Sequence, residues 1–456
     1  MAAEDDYERW VFDEKLGTER LGPVYARCES SGRIAFNTIM VRDVSGSSTD
    51  VHEAIILPSG LAAVSCAVEV AIREATMVRD PATGIVTGRR KISIAHSDEL
   101  YDGSYGVLEY AMESNAPYVK RHNFDVKNFA TALEALESRC ADDGGHDACP
   151  LAMIFLESCS NPSGQVPDFD VLAEFKQRQL SRRRKNCMPV PLTVIVDNTF
   201  LSPVLYSPLA DAKSSQVVDV VVESLTKYGS GSHAIAGYLA TTIEKMAPYK
   251  QWMAVHGMHV NADVVESVIQ QLSGLHDRVM VAAKIGTAVA AWLQSERDIN
   301  MVDAVMHASL PSHSTHRAAC QILPKSTLQS SSGEEVDATI GPGTMWFHLR
   351  TPTTADLLVE KLQKLSTQPL SLEFRTSFGG KVARIDPYRL VAAPTTQYTS
   401  VRAIDGPLTK SIQTATPDSN VVDGTGVWVR LAIGYDQSLE EVQAALSALL
   451  NELGKM

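Results

Sequence analysis

The chain has little positive charge to spare. Its 456 residues carry 41 lysines and arginines against 54 acidic side chains, a net charge of −13, and a surface of that sign is poorly suited to replacing the counterions of a nucleic acid. The single basic cluster, SRRRK at 181–185, reads as a solvated loop. Cysteine is sparse and patternless: seven residues at 28, 66, 140, 149, 159, 187 and 320, an odd number with no CxxC. That argues against a disulfide framework or a zinc site and suits free thiols in a reducing compartment, so a cytoplasmic location is expected. No apolar run is long enough to span a bilayer. VMVAAKIGTAVAAWLQ (279–294) is interrupted by Lys284 and reads as a buried or half-buried helix. The opening MAAEDDYERW is acidic and lacks the basic and apolar regions of a secretory signal. A phosphate-binding GxxxxGK[ST] loop is missing, and internal repeats are not evident.

What is present is an ordinary soluble composition, 45% hydrophobic and 21% charged, on a chain long enough for two or three domains. Residues 1–50 show weak periodicity and read as an N-terminal arm. From about 51, short apolar runs alternate with amphipathic stretches. AIILPSG, KISIAH, LAMIFLES, LTVIVDNT and VVDVVVES look like buried strands, and LAAVSCAVEVAIREA and VKNFATALEALESR look like helices. Such alternation predicts an α/β fold, a mostly parallel sheet with flanking helices. In such sheets ligands gather at the carboxyl ends of the strands. The loops expected there are PSG (58–60), SDELYDGS (97–104), ESCSNPSG (157–164), DNTF (197–200) and ESLTKYGSG (223–231), and they hold most of the chemically interesting side chains. GPGTMWFHLRT, TADLLVEKLQKL, VWVRLAIGY and LEEVQAALSALLNELGKM read as strand, helix, strand and helix. They predict a smaller α+β domain over 281–456, after a large domain over 51–280. ADDGGHDACP (141–150) and LQSSSGEEVDATIGPG (328–343) read as loops.

The stretch ESLTKYGSGSHAIAG (223–237) admits three explanations. A dinucleotide loop would need G-x-G-x-x-G, and here the third glycine comes too late. A plain strand exit with a surface lysine is the second. The third draws on Asp197, which ends another apolar run. A carboxylate there is costly unless a cation or donors meet it. A pyridinium nitrogen is such a partner, and the Lys227 amine can form a Schiff base with a carbonyl. Ser224 and Thr226 flank the lysine, and the amides of Ser59, Gly60 and Leu61, opening a helix, would complete a phosphate cradle. Together these residues describe a pyridoxal 5′-phosphate site.

Eight stretches carry a family resemblance: PSGLAA (58–63), LYDGSYG (100–106), FLESCSNPSG (155–164), VDNTFLSP (196–203), SLTKY (224–228), LPSHSTH (310–316), TSFGG (376–380) and VRLAIGYD (429–436). In this order they resemble the pyridoxal-phosphate enzymes of cysteine and methionine metabolism. That family includes cystathionine γ-synthase, the γ- and β-lyases, methionine γ-lyase and the homoserine-ester sulfhydrylases. The resemblance implies a fold-type-I, aspartate-aminotransferase-like architecture in a homodimer or homotetramer with active sites at subunit interfaces. It implies that Lys227 anchors the cofactor, Asp197 pairs with its ring nitrogen and Tyr101 stacks on the ring. Ser59, Gly60, Leu61, Ser224 and Thr226 would hold the phosphate, and Asn161 would meet the ring's phenolic oxygen. Arg430 would grip the substrate α-carboxylate with Ser377 nearby. Tyr25 and Arg27, in a Y-x-R pair, would reach the partner subunit's phosphate, although the NPT turn that usually follows is missing. The implied chemistry is γ-replacement or γ-elimination on a sulfur-containing or O-acylated homoserine-type amino acid. Methionine γ-lyase, cystathionine β-lyase and sulfhydrylase chemistry are the alternatives. A non-catalytic relative is disfavoured by the retention of Lys227, Asp197, Tyr101 and Arg430. The histidines at 307, 313 and 316 read as structural, with no metal expected.

Overall fold

The computed structural model describes residues 31–454 except positions 81, 162 and 376 and the segments 142–148, 186–189, 296–300, 330–334, 351–352, 366–371 and 388–425. In chain order the first strands are β1 (His52–Leu57), the hairpin β2–β3 (Met77–Arg79 and Val86–Arg89), β4 (Ile92–Ser97), β5 (Val119–Phe124), β6 (Leu151–Glu157), β7 (Thr193–Asp197), β8 (Val220–Glu223) and β9 (Gly237–Thr242). Seven of them form one sheet in the order β1-β9-β8-β7-β6-β4-β5. Every pairing is parallel except the two made by β9. All five runs expected to be strands are strands of this sheet. β5 and β9 were not anticipated, since VKRHNF and GYLATT are too polar to stand out from their neighbours.

This sheet is buried on both faces, which explains its near-continuous apolar strands. Ile154, Leu156, Val194 and Val196 face one hydrophobic cluster, while Met153, Phe155 and Ile195 face the other. The helix Gly60–Thr76 supplies the second cluster with Ala63, Ala67, Val70 and Ala71, and Ile243–Val255 adds Met246 and Trp252. Phe129–Ala141 and Phe169–Lys185 cover the first cluster with Phe129, Leu133, Leu172 and Phe175.

The second sheet contains β10 (Val302–Met306), β13 (Thr344–Arg350), β14 (Leu372–Phe374), β15 (Ala383–Pro387) and β16 (Gly426–Ala432), in the order β10-β13-β16-β15-β14. Lys325–Gln329 (β11) and Glu335–Thr339 (β12) pair as an antiparallel hairpin. The loop expected over 328–343 is therefore corrected: polar strands without an apolar face give no period-2 signal, and their backbone pairing alone defines them.

Two further expectations change. SRRRK is the last turn of the helix Phe169–Lys185, not a solvated loop. Arg183 is buried there, donating to the carbonyls of Val190 at 2.7 Å and of Leu151, because the apolar stem of an arginine can lie in a core while its fork meets backbone oxygens. Residues 31–50 of the expected arm pack on their own chain. Phe36, Met40 and Val41 are buried, Phe36 meets Tyr238 edge-on at 6.5 Å, and Asn37 accepts from the Ala54 amide at 2.8 Å. The long helix Leu275–Ser295, buried along Val279, Ala282, Ala283, Val289 and Ala290, carries the chain toward the second sheet. The division expected at 280–281 falls inside it.

Candidate active site

Parallel strands deliver their carboxyl ends to one edge, and the side chains just beyond β1, β4, β6, β7 and β8 converge there. Ser59 follows β1 and caps the helix Gly60–Thr76, its hydroxyl accepting from the Ala62 amide at 3.1 Å. Gly60 is pressed against the loop after β8: a Cβ on it would lie 2.6 Å from Ser224 Cβ. Close approach of backbone to backbone is thus the reason for glycine at 60, and it sets a helix N-terminus beside the Ser224 hydroxyl. The Ser224 amide donates to Thr199 Oγ1 at 2.9 Å. Thr226 lies on the same loop, but its hydroxyl is engaged with the backbone of Ala236, donating to the carbonyl and accepting from the amide, both at 3.2 Å. Leu61 is 39% exposed.

Asp197 ends β7. Thr199 donates to it twice, from its amide at 2.9 Å and its hydroxyl at 2.5 Å, both to Oδ1, leaving Oδ2 for a further partner. In register beside it stands Glu157, the last residue of β6. Glu157 is buried and accepts from the amides of Tyr101 (2.7 Å) and Asn161 (2.8 Å). Burial, and then the adjacent Asp197, push the Glu157 carboxyl well above the usual range. Burial also raises Asp197, against the pull of Thr199. Glu157 was not singled out from the sequence, though it closes a recognised strand. It fixes the backbone at two candidate residues together. Glu99 braces the loop that follows, one layer further out. It is buried and receives the hydroxyls of Ser160 (2.7 Å) and Ser163, the Ser163 amide (3.2 Å) and the Gln165 carboxamide (3.3 Å). Asn161 is buried with its carboxamide oxygen unpartnered among the described residues. Tyr101, by contrast, is 49% exposed at the start of the helix Asp102–Ser114.

Lys227 lies on the loop after β8, and its amine donates to Ser377 Oγ at 2.6 Å. Ser377 precedes Gly379, whose Cβ position would fall 2.6 Å from the Lys227 carbonyl carbon. Both residues adopt the left-handed region, at φ +81°. The second sheet therefore reaches the lysine backbone itself. Desolvation, then Arg430 and then Arg384, lower the Lys227 pKa to about 8, and Phe378 places its ring 5.3 Å from the amine. Arg430, on β16, meets Asp386 of β15 at 3.3 Å, an ion pair whose two members are 12% and 19% exposed. Asp102, at the mouth, has its carboxyl raised to about 6 by burial, against the attraction of Arg430. Asp386, Arg384 and Asp102 were not among the sequence candidates.

The cleft thus unites Ser59, Gly60, Tyr101, Asn161, Asp197, Ser224, Thr226, Lys227, Ser377 and Arg430. Tyr25 and Arg27 lie outside the described residues. The donor set fits a phosphorylated, cationic aromatic aldehyde. A depressed lysine amine would receive the aldehyde, an available oxygen on Asp197 the ring cation, and a helix N-terminus with a free-standing serine the phosphate. His307 and His313 sit elsewhere, buried against the backbone carbonyls of Pro342 (2.8 Å) and Ser163 (2.9 Å). Burial brings both rings down to about 4.

Comparison with known proteins adds findings of three kinds. The profile of the Cys/Met metabolism PLP-dependent enzymes matches residues 7–330. A putative cystathionine γ-lyase 2 of Caenorhabditis elegans is 30% identical over 48% of this chain and 49% of its own length. A cystathionine β-lyase of Saccharomyces cerevisiae is 24% identical over 44% of this chain and 39% of its own. The chain thus aligns with half or less of these curated relatives. Among solved structures, cystathionine γ-synthase of Xanthomonas oryzae pv. oryzae in complex with cystathionine superposes with a TM-score of 0.66. It has 18% identity over 96% of this chain and 90% of that one. Cystathionine γ-lyase of Lactobacillus plantarum, complexed with L-serine, gives 0.66 and 16% over 96% and 91%. The fold-type-I architecture is shared.

Proposed function

The chain belongs to the Cys/Met metabolism PLP-dependent enzymes, and from that premise we propose that it catalyses γ-replacement or γ-elimination on a sulfur-containing or O-acylated homoserine-type amino acid. The observation that carries this reading is Lys227: an amine held near a pKa of about 8 within the same cleft as Asp197 and Arg430. Pyridoxal phosphate, when bound, supplies an electron sink for negative charge at the substrate α-carbon. The protein's own residues do the rest. Arg430 orients the substrate through its α-carboxylate once Asp386 yields the guanidinium. Lys227, its pKa lowered to about 8 so that a substantial neutral fraction exists near pH 8, takes the α-proton and relays a proton at Cβ, steered by Ser377 at 2.6 Å. Asp197 stays charged when a cation meets its open oxygen, and Tyr101 covers the exposed face of the cleft.

The assembly we propose is a homodimer or homotetramer in the cytoplasm. Residues 51–280 would form the cofactor domain, 281–456 the small domain, and 1–50, with Tyr25 and Arg27, an arm contributing to the partner subunit. Exposed Leu61 and Tyr101 at the cleft mouth support a neighbouring subunit there. Among the described residues no helix is long and apolar enough to cross a membrane.

The test is borohydride reduction of the cofactor-loaded protein followed by peptide mapping. The label is expected on Lys227, and Lys227→Ala should lose it along with about 10³-fold of turnover. Homoserine esters, cystathionine and methionine, offered with and without a thiol, separate replacement from γ- and β-elimination. A label on another lysine would overturn the assignment.

A further inference from the structure

The helix His316–Ile322 carries a base and a nucleophile one turn apart. His316 and Cys320 stand at i and i+4, on one face, and Cys320 Sγ lies 3.3 Å from His316 Nε2. The other ring nitrogen, Nδ1, is 3.2 Å from the Ala308 carbonyl oxygen. A carbonyl only accepts, so Nδ1 carries the hydrogen and donates it there. In the neutral ring Nε2 is then the bare nitrogen, and its lone pair faces the thiol. Thr339, the last residue of β12, places its Oγ1 3.3 Å from the same sulfur. A thiol that donates to Nε2 can accept from this hydroxyl. The cluster therefore holds a nucleophile, a base within reach, a carbonyl that orients the base and a donor for charge developing on sulfur. That is the arrangement by which proteins activate thiols. None of its members is among the residues proposed to hold cofactor or substrate.

The other described cysteines are placed differently. Cys66 and Cys159 are buried, and burial pushes both thiols up, which makes such groups inert. Cys140 and Cys149 share the partial exposure of Cys320 and give it two internal references.

We propose that Cys320 is a modification site outside the cleft, a thiol that His316 activates for attack on small peroxides. The sulfur attacks one peroxide oxygen, an S–O bond forms and the O–O bond breaks. The thiol proton passes to His316 Nε2 and on to the departing oxygen. With hydrogen peroxide that oxygen leaves as water. Sulfur is oxidised to the sulfenic acid and the peroxide is reduced, so no further reactant is needed. This inference does not depend on the function proposed above.

The experiment exposes the full-length, cofactor-loaded protein to hydrogen peroxide in the presence of dimedone, which traps sulfenic acids. The labelled cysteines are mapped by mass spectrometry over time. Cys320 is expected to label about tenfold or more faster than Cys140 and Cys149, a modest share of what a positioned base contributes. His316→Asn keeps a donor near the Nδ1 position but removes the base at Nε2, and should slow Cys320 by about tenfold. Thr339→Val should slow it by about fivefold, the scale of one neutral hydrogen bond. An unchanged melting midpoint certifies that each variant is folded. Labelling of Cys320 no faster than that of Cys140 and Cys149 would overturn the proposal, and so would a rate untouched in folded His316→Asn. Should that variant fail to fold, the rate order in the unaltered protein and the Thr339→Val rate decide the matter.

Discussion

The two walls of the cleft are built on opposite principles. On the large-sheet side every buried acid has donors from its own chain. Glu157 is held by two amides, Glu99 by two serines and a glutamine, and Asp197 by Thr199, which in turn accepts from Ser224. That wall is set before any ligand arrives, apart from Asp197 Oδ2 and the Asn161 carboxamide oxygen, two acceptors it leaves open. On the small-sheet side the charges are matched only to one another, Arg430 to Asp386, or are incompletely matched, as at Arg384. Ser377 there is also held at φ +81°, a costly conformation for a serine. Preorganised polar networks fix where a cofactor sits. Provisional charge pairs can be exchanged for a substrate's, which on the function proposed above assigns selectivity to the small-sheet wall.

Breaking the finished wall should cost most. Asp197→Asn removes the charge while keeping the shape. Cofactor affinity, read by absorbance titration, is expected to fall by about 10²-fold, the scale of losing a charge-assisted hydrogen bond. An unchanged affinity would mean that the floor holds its ligand by shape alone. Gly60→Ala comes next. Its Cβ would meet Ser224 Cβ at 2.6 Å, and overpacking of this kind costs about 1–3 kcal/mol. Denaturant melts should show that loss together with weaker cofactor retention, whereas an unaltered midpoint would refute the close approach.

The provisional wall should respond more mildly and in the opposite direction. Asp386→Asn frees Arg430 from its partner. KM for the amino-acid substrate is expected to drop about three- to tenfold with kcat nearly constant, as when a competitor for ground-state binding is removed. A rise in KM would show that Asp386 aligns Arg430 rather than capping it. The smallest effect lies at the seam between the walls. In the cofactor-free protein, acylation of Lys227 should reach half its maximal rate near pH 8 rather than at the ordinary lysine value of 10.5. The native state gives up this proton more readily than the unfolded chain does. The destabilisation due to Lys227 is therefore full below pH 8 and fades as pH rises to the unfolded value, so stability increases across that window. Arg430→Met should move the half-point upward, because it removes the stronger of two repelling cations.

Much of the finished wall was legible before folding was considered. Asp197, Lys227, Ser59 and Asn161 each follow a short apolar run, and a parallel sheet must deliver such residues to a common edge. The order of the motifs then suggested the family. Less was legible where apolar patterning is weak. β5 and the β11–β12 hairpin carry polar residues on exposed or edge positions, and β9, though buried between β1 and β8, opens on a glycine and closes on two threonines, so side-chain periodicity hardly marks them. The basic run at 181–185 misled for a related reason: composition describes charge, and only packing reveals that Arg183 turns inward to two carbonyls.

Local pattern alone determined that this chain builds a two-sided buried sheet and carries a lysine, an aspartate and a capped helix start at its edge, because burial and turn chemistry act over a few residues. Tertiary structure decided the rest. It placed Asp386 against Arg430 and left Arg384 short of an acceptor, because the register between two strands separated by a long stretch of chain is a property of their pairing and not of either sequence. It also decided the state of the Lys227 amine, since desolvation and two arginines from the other sheet act on that lysine only after the sheets have met.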